Sequence, residues 1–362
     1  MMDDLTLVTN GQRISGWTTV NVVRGIERFP SGFQIGMTEH YPKEFGRFLL
    51  NPGDPVQVLL GSDIVVTGYV DDFTPALSSG AHSIAVSGRG KCQDLVDCSH
   101  FFNGCQMTNI TPLAMAIQLA TPYGIDVVSD VGAGEVVPVW QLPWGETPYN
   151  ILEPVARNSQ MLVYENPDGS LRLSQAMRAS AGVRYPVVAE GVNIESITMR
   201  WSMAQRFSQY IGRSLPMDMM SDVGVGPDVV AVVNDPGVPR LRVRSIIAET
   251  GDTSDFQITK ARVNWEAVRR AGRSSQANVT VDSWRDEAGN LWQPNTLVTL
   301  VAPTVHVPRA NWLISEVAYR RDETGTHADL TLMPPEAFAV QPVNLFPTMR
   351  DVVAGAAQGG NG

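Results

Sequence analysis

The chain has 362 residues, of which 43% are apolar and 18% charged, against a usual charged share of about 25%. That length holds about two or three domains with a sizeable core, and so low a charge suits a surface partly hidden in subunit contacts. With 27 basic against 37 acidic residues the formal charge is −10 and the pI near 5.0, which argues against sequence-specific nucleic-acid binding. No apolar run reaches the roughly 18 residues of a membrane span, and Met1-Met2-Asp3-Asp4 is acidic where a secretory leader is basic. The expectation is a chain neither exported by a leader nor stably inserted in a membrane. Gly (32) and Pro (24) are plentiful, which favours short strands joined by turns.

The first ninety residues read as strands and turns. Val56 to Leu60 and Ile64 to Val70 flank Gly61-Ser62-Asp63, a loop short enough for a hairpin. After Ser78-Ser79-Gly80, the stretch His82 to Gly88 alternates apolar and polar residues, giving a three-stranded meander. The texture changes near Lys91. Thr111 as N-cap, Pro112 behind it and Pro122 as the stop predict a helix to Ala120. A second helix starts at Thr147-Pro148 with Ile151, Leu152, Val155 and Ala156 on one face, and Pro154 stands against its continuity. Ile125 to Val128, Val136 to Val139, Met161 to Tyr164 and Leu171 to Leu173 read as short strands, the last two joined by the turn Asn166-Pro167-Asp168-Gly169. Strands return near residue 192. Met217 to Pro239 shows no sustained periodicity and reads as a long excursion. Ile258 to Ala271 predicts a helix capped by Gly272. Val279 to Val281, Leu297 to Val301, Trp312 to Tyr319 and Ala328 to Met333 are strand-like, and Gly355 to Gly362 is a low-complexity tail.

The two strand-rich ends resemble each other. Pro52 to Leu60 parallels Pro294 to Ala302, Val65 to Val70 parallels Trp312 to Val317, and Ser79 to Val86 parallels Thr324 to Leu332 with one residue of slip. The implied architecture is two related barrels around an α+β insert. Three such chains would present six barrel positions, enough to sit against a six-fold ring.

Candidate chemistry is sparse, and no catalytic, cofactor-binding or metal-binding residue emerges. His40, His82, His100, His306 and His327 show no ligand spacing, and His82 and His327 suit exposed positions beside a strand. Cys92, Cys98 and Cys105 fit no zinc pattern and read as buried or partly buried thiols of a reducing compartment. Asp71-Asp72 is the best carboxylate pair for sugar chemistry, but its position suits solvated residues at a strand end. Trp140, Trp144, Trp201, Trp265, Trp284, Trp292 and Trp312 suit core and interface packing better than carbohydrate stacking. Arg269-Arg270 and Arg320-Arg321 suit salt links between subunits, and Gly224-Val225-Gly226-Pro227 lacks the helix and third glycine of a nucleotide fingerprint.

A series of strings resembles the contractile-phage tail hub proteins of the Mu-type tail protein and late control D group. Asn51 to Val56, Thr67 to Asp72, Ser87-Gly88-Arg89, Asp94 to Ser99 and Trp144 to Tyr149 occur in that family's order. So do Asp168 to Leu171, Glu190 to Ile194, Arg206 to Tyr210, Trp284-Arg285-Asp286, Leu291 to Asn295 and Pro335 to Phe338. The resemblance implies a mainly β fold with an α+β insert, two tube-like β-barrels per chain and a pseudo-six-fold ring as a trimer. On that basis residues 1–90 form the first barrel, 91–188 the insert, 189–340 the second barrel with an excursion at about 211–275, and 341–362 a flexible tail. The implied role is a structural baseplate hub subunit without cofactor, joining the hexameric tail tube to the trimeric central spike. Its implied partners are a homotrimer of itself, the central spike protein, the tail tube protein, baseplate wedge proteins and the tape measure protein. Its implied place is the virion's tail baseplate, assembled in the host bacterial cytoplasm. An acidic bore would repel phosphate during DNA passage. The hub portion of the type VI spike protein VgrG is similar, so the hub of a pyocin-like or type VI injection machine is the nearest alternative. A tail-associated cell-wall hydrolase and a carbohydrate-binding module are the others.

Overall fold

A computed structural model describes residues 4–39, 50–78, 81–214, 229–247 and 256–339. Among the described residues strand (47%) outweighs helix (18%), so the fold is mainly β. The first stretch contributes β1 (Leu5–Thr9), β2 (Gln12–Ile14), β3 (Thr19–Gly25), β4 (Gly32–Glu39), β5 (Pro55–Leu60), β6 (Asp63–Ser78) and β7 (Ala81–Gly90). The middle contributes α1 (Asp94–Asp97), β8 (Gln106–Ile110), α2 (Pro112–Ala120), β9 (Val127–Ser129), β10 (Val137–Gln141), α3 (Pro148–Asn158), β11 (Leu162–Glu165) and β12 (Leu171–Ser174). Then follow β13 (Val187–Ala189), β14 (Ile194–Trp201), β15 (Gln209–Ser214), β16 (Val229–Asn234), β17 (Val243–Ile247), α4 (Phe256–Arg273), β18 (Ser275–Val281), β19 (Leu297–Ala302), β20 (Val307–Asp322) and β21 (Gly325–Met333). The tail 341–362, the Met217–Met220 run and Gly224 to Pro227 lie outside the described residues.

One 13-stranded sheet runs β14-β18-β21-β20-β3-β4-β7-β6-β5-β1-β2, with β13 and β19 branching beside β20. Its two strand groups meet where β3 and β20 pair antiparallel, from Glu316 opposite Gly25 to Arg321 opposite Val20. Both groups feed one core that includes Leu5, Val22, Ile35, Val86, Val279, Ile314, Val317 and Tyr319. The predicted hairpin is present: β5 and β6 pair antiparallel around Gly61-Ser62, and Gly61 supplies the positive φ (63°) that the tight loop needs.

The resemblance between the two ends is sharper in three dimensions. The meander β5, β6, β7 has strands of 6, 16 and 10 residues, and β19, β20, β21 has 6, 16 and 9. In each, the long strand carries one extra residue against the next strand: Asp71 in β6 and Ser315 in β20. The same sequence offset separates Asp63 from Val307, Asp71 from Ser315, Ser78 from Asp322 and Ala81 from Gly325. The counterpart of Val65 is therefore Arg309, so the alignment of Val65–Val70 with Trp312–Val317 is displaced by three residues. Alternating apolar residues look alike at many shifts, whereas a bulge marks one position. The groups differ at their far sides, where β1 lies antiparallel to β5 but β13 parallel to β19.

The middle stretch has its own core, with Met115, Leu119, Ile151, Leu152, Val155 and Leu173 among its buried residues. Thr111 and Thr147 cap α2 and α3 through side-chain oxygens that accept from the N–H groups of Ala114 and Asn150. Pro154 does not interrupt α3, whose one apolar face stays buried around it. Within Met217 to Pro239 the structure corrects the expectation of an irregular excursion, because Val229–Asn234 is a strand paired with β15. β15, β16 and β17 form a small sheet under α4, where Tyr210, Ile246, Val263 and Ala267 pack. Gly212 permits the close approach: a Cβ there would lie 2.3 Å from Val263 Cγ2.

Gly272 is not the C-cap of α4, which runs on to Arg273. It is buried, and a Cβ at this position would meet the backbone N of Ala337 at 2.3 Å. In an exposed helix Gly→Ala gains about 1 kcal/mol, but here the obstacle is backbone that cannot rotate away. Gly272→Ala is expected to lower stability by about 1–3 kcal/mol, measurable as a reduced midpoint of urea unfolding.

Candidate functional site

β11 joins the middle stretch to both strand groups. Successive strand residues point to opposite faces, and β11 uses this on Tyr164 and Glu165. Glu165 accepts hydrogen bonds from the backbone N–H of Ser31 (2.9 Å) and of Cys92 (2.8 Å), reaching the first group. Tyr164 packs on the other side with Ile26, Leu297, Leu313 and Phe338. Its hydroxyl lies 3.3 Å from the Asn295 amide, which also donates to Gln175 O (2.8 Å) while Asn295 Oδ1 accepts from Met177 N (3.0 Å). Glu165 is 3% exposed, the sole carboxylate in the buried class among the described residues. Burial pushes its carboxyl above the usual glutamate value, and the two backbone donors pull the other way. Burial and the Glu165 charge likewise push the Cys92 thiol up.

Glycines make the joint possible. A Cβ on Gly90 would fall 1.9 Å from Glu165 Oε2, one on Gly68 would fall 1.9 Å from Arg89 O, and one on Gly88 2.2 Å from Tyr69 O. Glycines inside apparent strands were the available sign of such close backbone approach. Nothing in the sequence marked Glu165, Tyr164 or Asn295 individually.

Asp71 and Asp72 are not a strand-end pair. Asp71 is the bulged residue in the middle of β6, ion-paired with Arg89 (2.7 Å), and Asp72 accepts from the Ser87 hydroxyl (3.1 Å). Arg89 also reaches Asp97 (2.7 Å), and these two carboxylates hold its guanidinium above the ordinary arginine range. His327 is not an exposed flanking residue: it lies in β21, with its ring 2.6 Å from Glu195 and 3.1 Å from the Thr324 hydroxyl. His100 is buried against Pro143 O (3.0 Å), and His306 occupies an exposed turn with φ 64°. His40 and the His82 side chain lie outside the described residues.

Trp265, Trp284, Trp292 and Trp312 are buried and Trp140 half-buried, whereas Trp144 and Trp201 are 69% and 55% exposed. Cys92 is buried, Cys98 half-buried and Cys105 exposed, so the expectation of covered thiols fails for Cys105. Three arginines of the two pairs make ion pairs within the chain. Arg270 pairs with Glu266 (2.6 Å), Arg320 with Asp329, and Arg321 with Asp4 (2.7 Å). Arg269 lies over the Trp265 ring, its guanidinium pushed down by burial and by Arg273, beside a cavity of about 380 Å³ also lined by Arg200, Arg270 and Arg273. Among the described residues no group of three or more His, Cys, Asp or Glu is placed to hold a metal, and no helix is long and apolar enough to cross a membrane. The arrangement fastens segments together, with both oxygens of its buried carboxylate taken by backbone N–H groups.

Three family models match in chain order. The N-terminal domain of Mu phage baseplate assembly protein GpP-like proteins matches residues 4–90, the second domain of baseplate hub protein gp44-like proteins 92–175, and the fourth domain of Mu phage baseplate assembly protein GpP 256–341. A mainly β chain matching baseplate domains along most of its length is a structural component of the phage tail. The baseplate hub protein gp44 of Escherichia phage Mu is 30% identical over 350 residues, covering 94% of this chain and 90% of that protein. The chain belongs to this family of Mu-type baseplate hub proteins, whose members are structural proteins rather than enzymes. The crystal structure of the prophage MuSo2 43 kDa tail protein from Shewanella oneidensis agrees, with 30% identity, a TM-score of 0.80 and coverage of 92% of this chain and 99% of that one. An E. coli type VI secretion component, at 11% identity and a TM-score of 0.58 over 94% of this chain and 80% of that one, shares the fold alone.

A carboxyl raised by folding stabilises most below its unfolded value of 4.5, and that contribution is lost as pH rises through the higher folded value. Glu165→Gln removes this slope and offers one acceptor to two N–H donors. It is expected to cost about 1–3 kcal/mol, with the gap to the native chain narrowing as pH rises from 4.5 through the higher folded value, as read by urea unfolding.

Proposed function

We propose that three copies of this chain form a ring joining the hexameric tail tube to the trimeric central spike. The observation that carries this reading is the repeated meander, in which β5, β6 and β7 match β19, β20 and β21 in order, length and bulge position. Each chain then supplies two related barrels, at 1–90 and 189–340, with the insert at 91–188. Three chains supply six barrel positions while keeping three-fold symmetry, so one face suits a six-fold tube and the other a three-fold spike.

On this reading the partners are the central spike, tail tube, wedge and tape measure proteins, and assembly takes place in the host cytoplasm before the hub enters the virion's tail. The net charge of −10 favours a bore that repels phosphate during DNA passage. The type VI component's shared fold leaves a phage-derived injection machine as the related setting, distinguished by the absence of capsid genes beside the hub gene. Light scattering of the purified chain is expected to give three times the 39.4 kDa chain mass. A stable monomer at micromolar concentration overturns the ring.

A further inference from the structure

Four arginines converge on one recess near the C-terminal end of α4. Glu266, Arg269, Arg270 and Arg273 recur at the spacing that places helix residues on one face. On the sheet, Arg200 of β14 stands opposite Gln276 of β18. These side chains, with Gln205, wall the cavity of about 380 Å³. Its rim is tied down on two sides. Arg270 donates to Gln205 O (3.1 Å) and Gln205 Oε1 (2.9 Å), and Ser202 N donates to Ser274 O (2.8 Å). A recess fixed in this way loses little freedom when it is filled.

Two of the four guanidiniums already have a role within the chain. Arg270 pairs with Glu266 (2.6 Å) and Arg273 with Glu27. Both lie in the last turn of α4, where a cation offsets the helix dipole. Arg200 and Arg269 have no carboxylate partner among the described residues. Burial and the charges of Arg273 and Arg157 push the Arg269 guanidinium down, against the pull of Glu27 and Glu266. Its positive charge is therefore under-compensated. The chain as a whole has 27 basic against 37 acidic residues, so this recess runs against the sign of the molecule.

We propose that this recess receives carboxylate side chains from an acidic segment of a partner protein, with Arg200 and Arg269 as the main contacts and Arg270 and Arg273 adding to the field. The planar fork of a guanidinium matches a carboxylate with two parallel hydrogen bonds. A nucleic acid carries the same sign of charge in a different shape. Its phosphates run along a convex backbone, and a basic stripe is what tracks them. Here the arginines sit in a recess the size of a few side chains, with Glu266 and Glu27 beside them. The inference does not depend on how many copies assemble.

Calorimetric titration of the full chain at low salt tests it, with capped hexaglutamate as the probe. Hexaglutamate is expected to bind, and to bind more weakly as salt rises. Capped hexaglutamine, of similar shape without the charge, is expected to give no heat. Arg269→Gln is expected to lower the affinity about tenfold, and Arg200→Gln, at an exposed position, by less. Arg13→Gln removes the same charge from an exposed site on β2 and is expected to leave the affinity unchanged. No binding of hexaglutamate, equal binding of both peptides, or an equal loss in Arg13→Gln overturns the proposal. So does a short DNA duplex that binds more tightly than the peptide and is lost with the same two arginines, which marks a phosphate site. A monomer by light scattering that still binds hexaglutamate through both arginines overturns the ring and leaves this site standing. Should Arg269→Gln fail to fold through its contact with Trp265, Arg200→Gln alters one exposed side chain, and an unchanged affinity there overturns the site.

Discussion

Six successive residue pairs between β3 and β20 make two strand groups into one sheet, and most of the remaining structure follows from that seam. Backbone pairing fixes the register of the groups, and the side chains on its inner face enter one shared core. Tyr319 shows how closed the seam is. Its ring is fully buried, its hydroxyl donates to Trp292 O, and burial pushes its phenol up to about 12. A phenol so placed acts as a packing element with one satisfied hydrogen bond, which suits a protein whose task is to hold a shape.

The middle stretch is held to this frame by a second constraint, the opposite-facing pair Tyr164 and Glu165. One residue grips the first group through two backbone N–H groups, and the other packs into the second through Leu297, Leu313 and Phe338. Because the two lie on one short strand, a shift of either group is transmitted to the other. Gly68, Gly88 and Gly90 give the backbone room to come this close.

Much of this was legible in the sequence. The hairpin around Gly61, the Thr-Pro starts of α2 and α3, and the strands of both meanders announce themselves through local rules that do not depend on the rest of the chain. Gly272 did not, because its role is set by a backbone more than sixty residues away. Asp71 resembled a solvated strand-end residue because a bulge has no residue signature of its own. His327 looked exposed until Glu195, on a strand two places across the sheet, was brought beside it.

The sequence by itself determined the class of the protein: a mainly β chain, repeated at its two ends, lacking a reactive constellation and carrying strings in the order of a tail hub. Those features are written in composition and local pattern, which survive without knowledge of what lies opposite. Only the tertiary structure decided the register of the repeat and the clamp at β11. A strand pattern of period two reads the same after a shift of two residues, whereas a bulge or a buried carboxylate exists only once the neighbouring strands are in place.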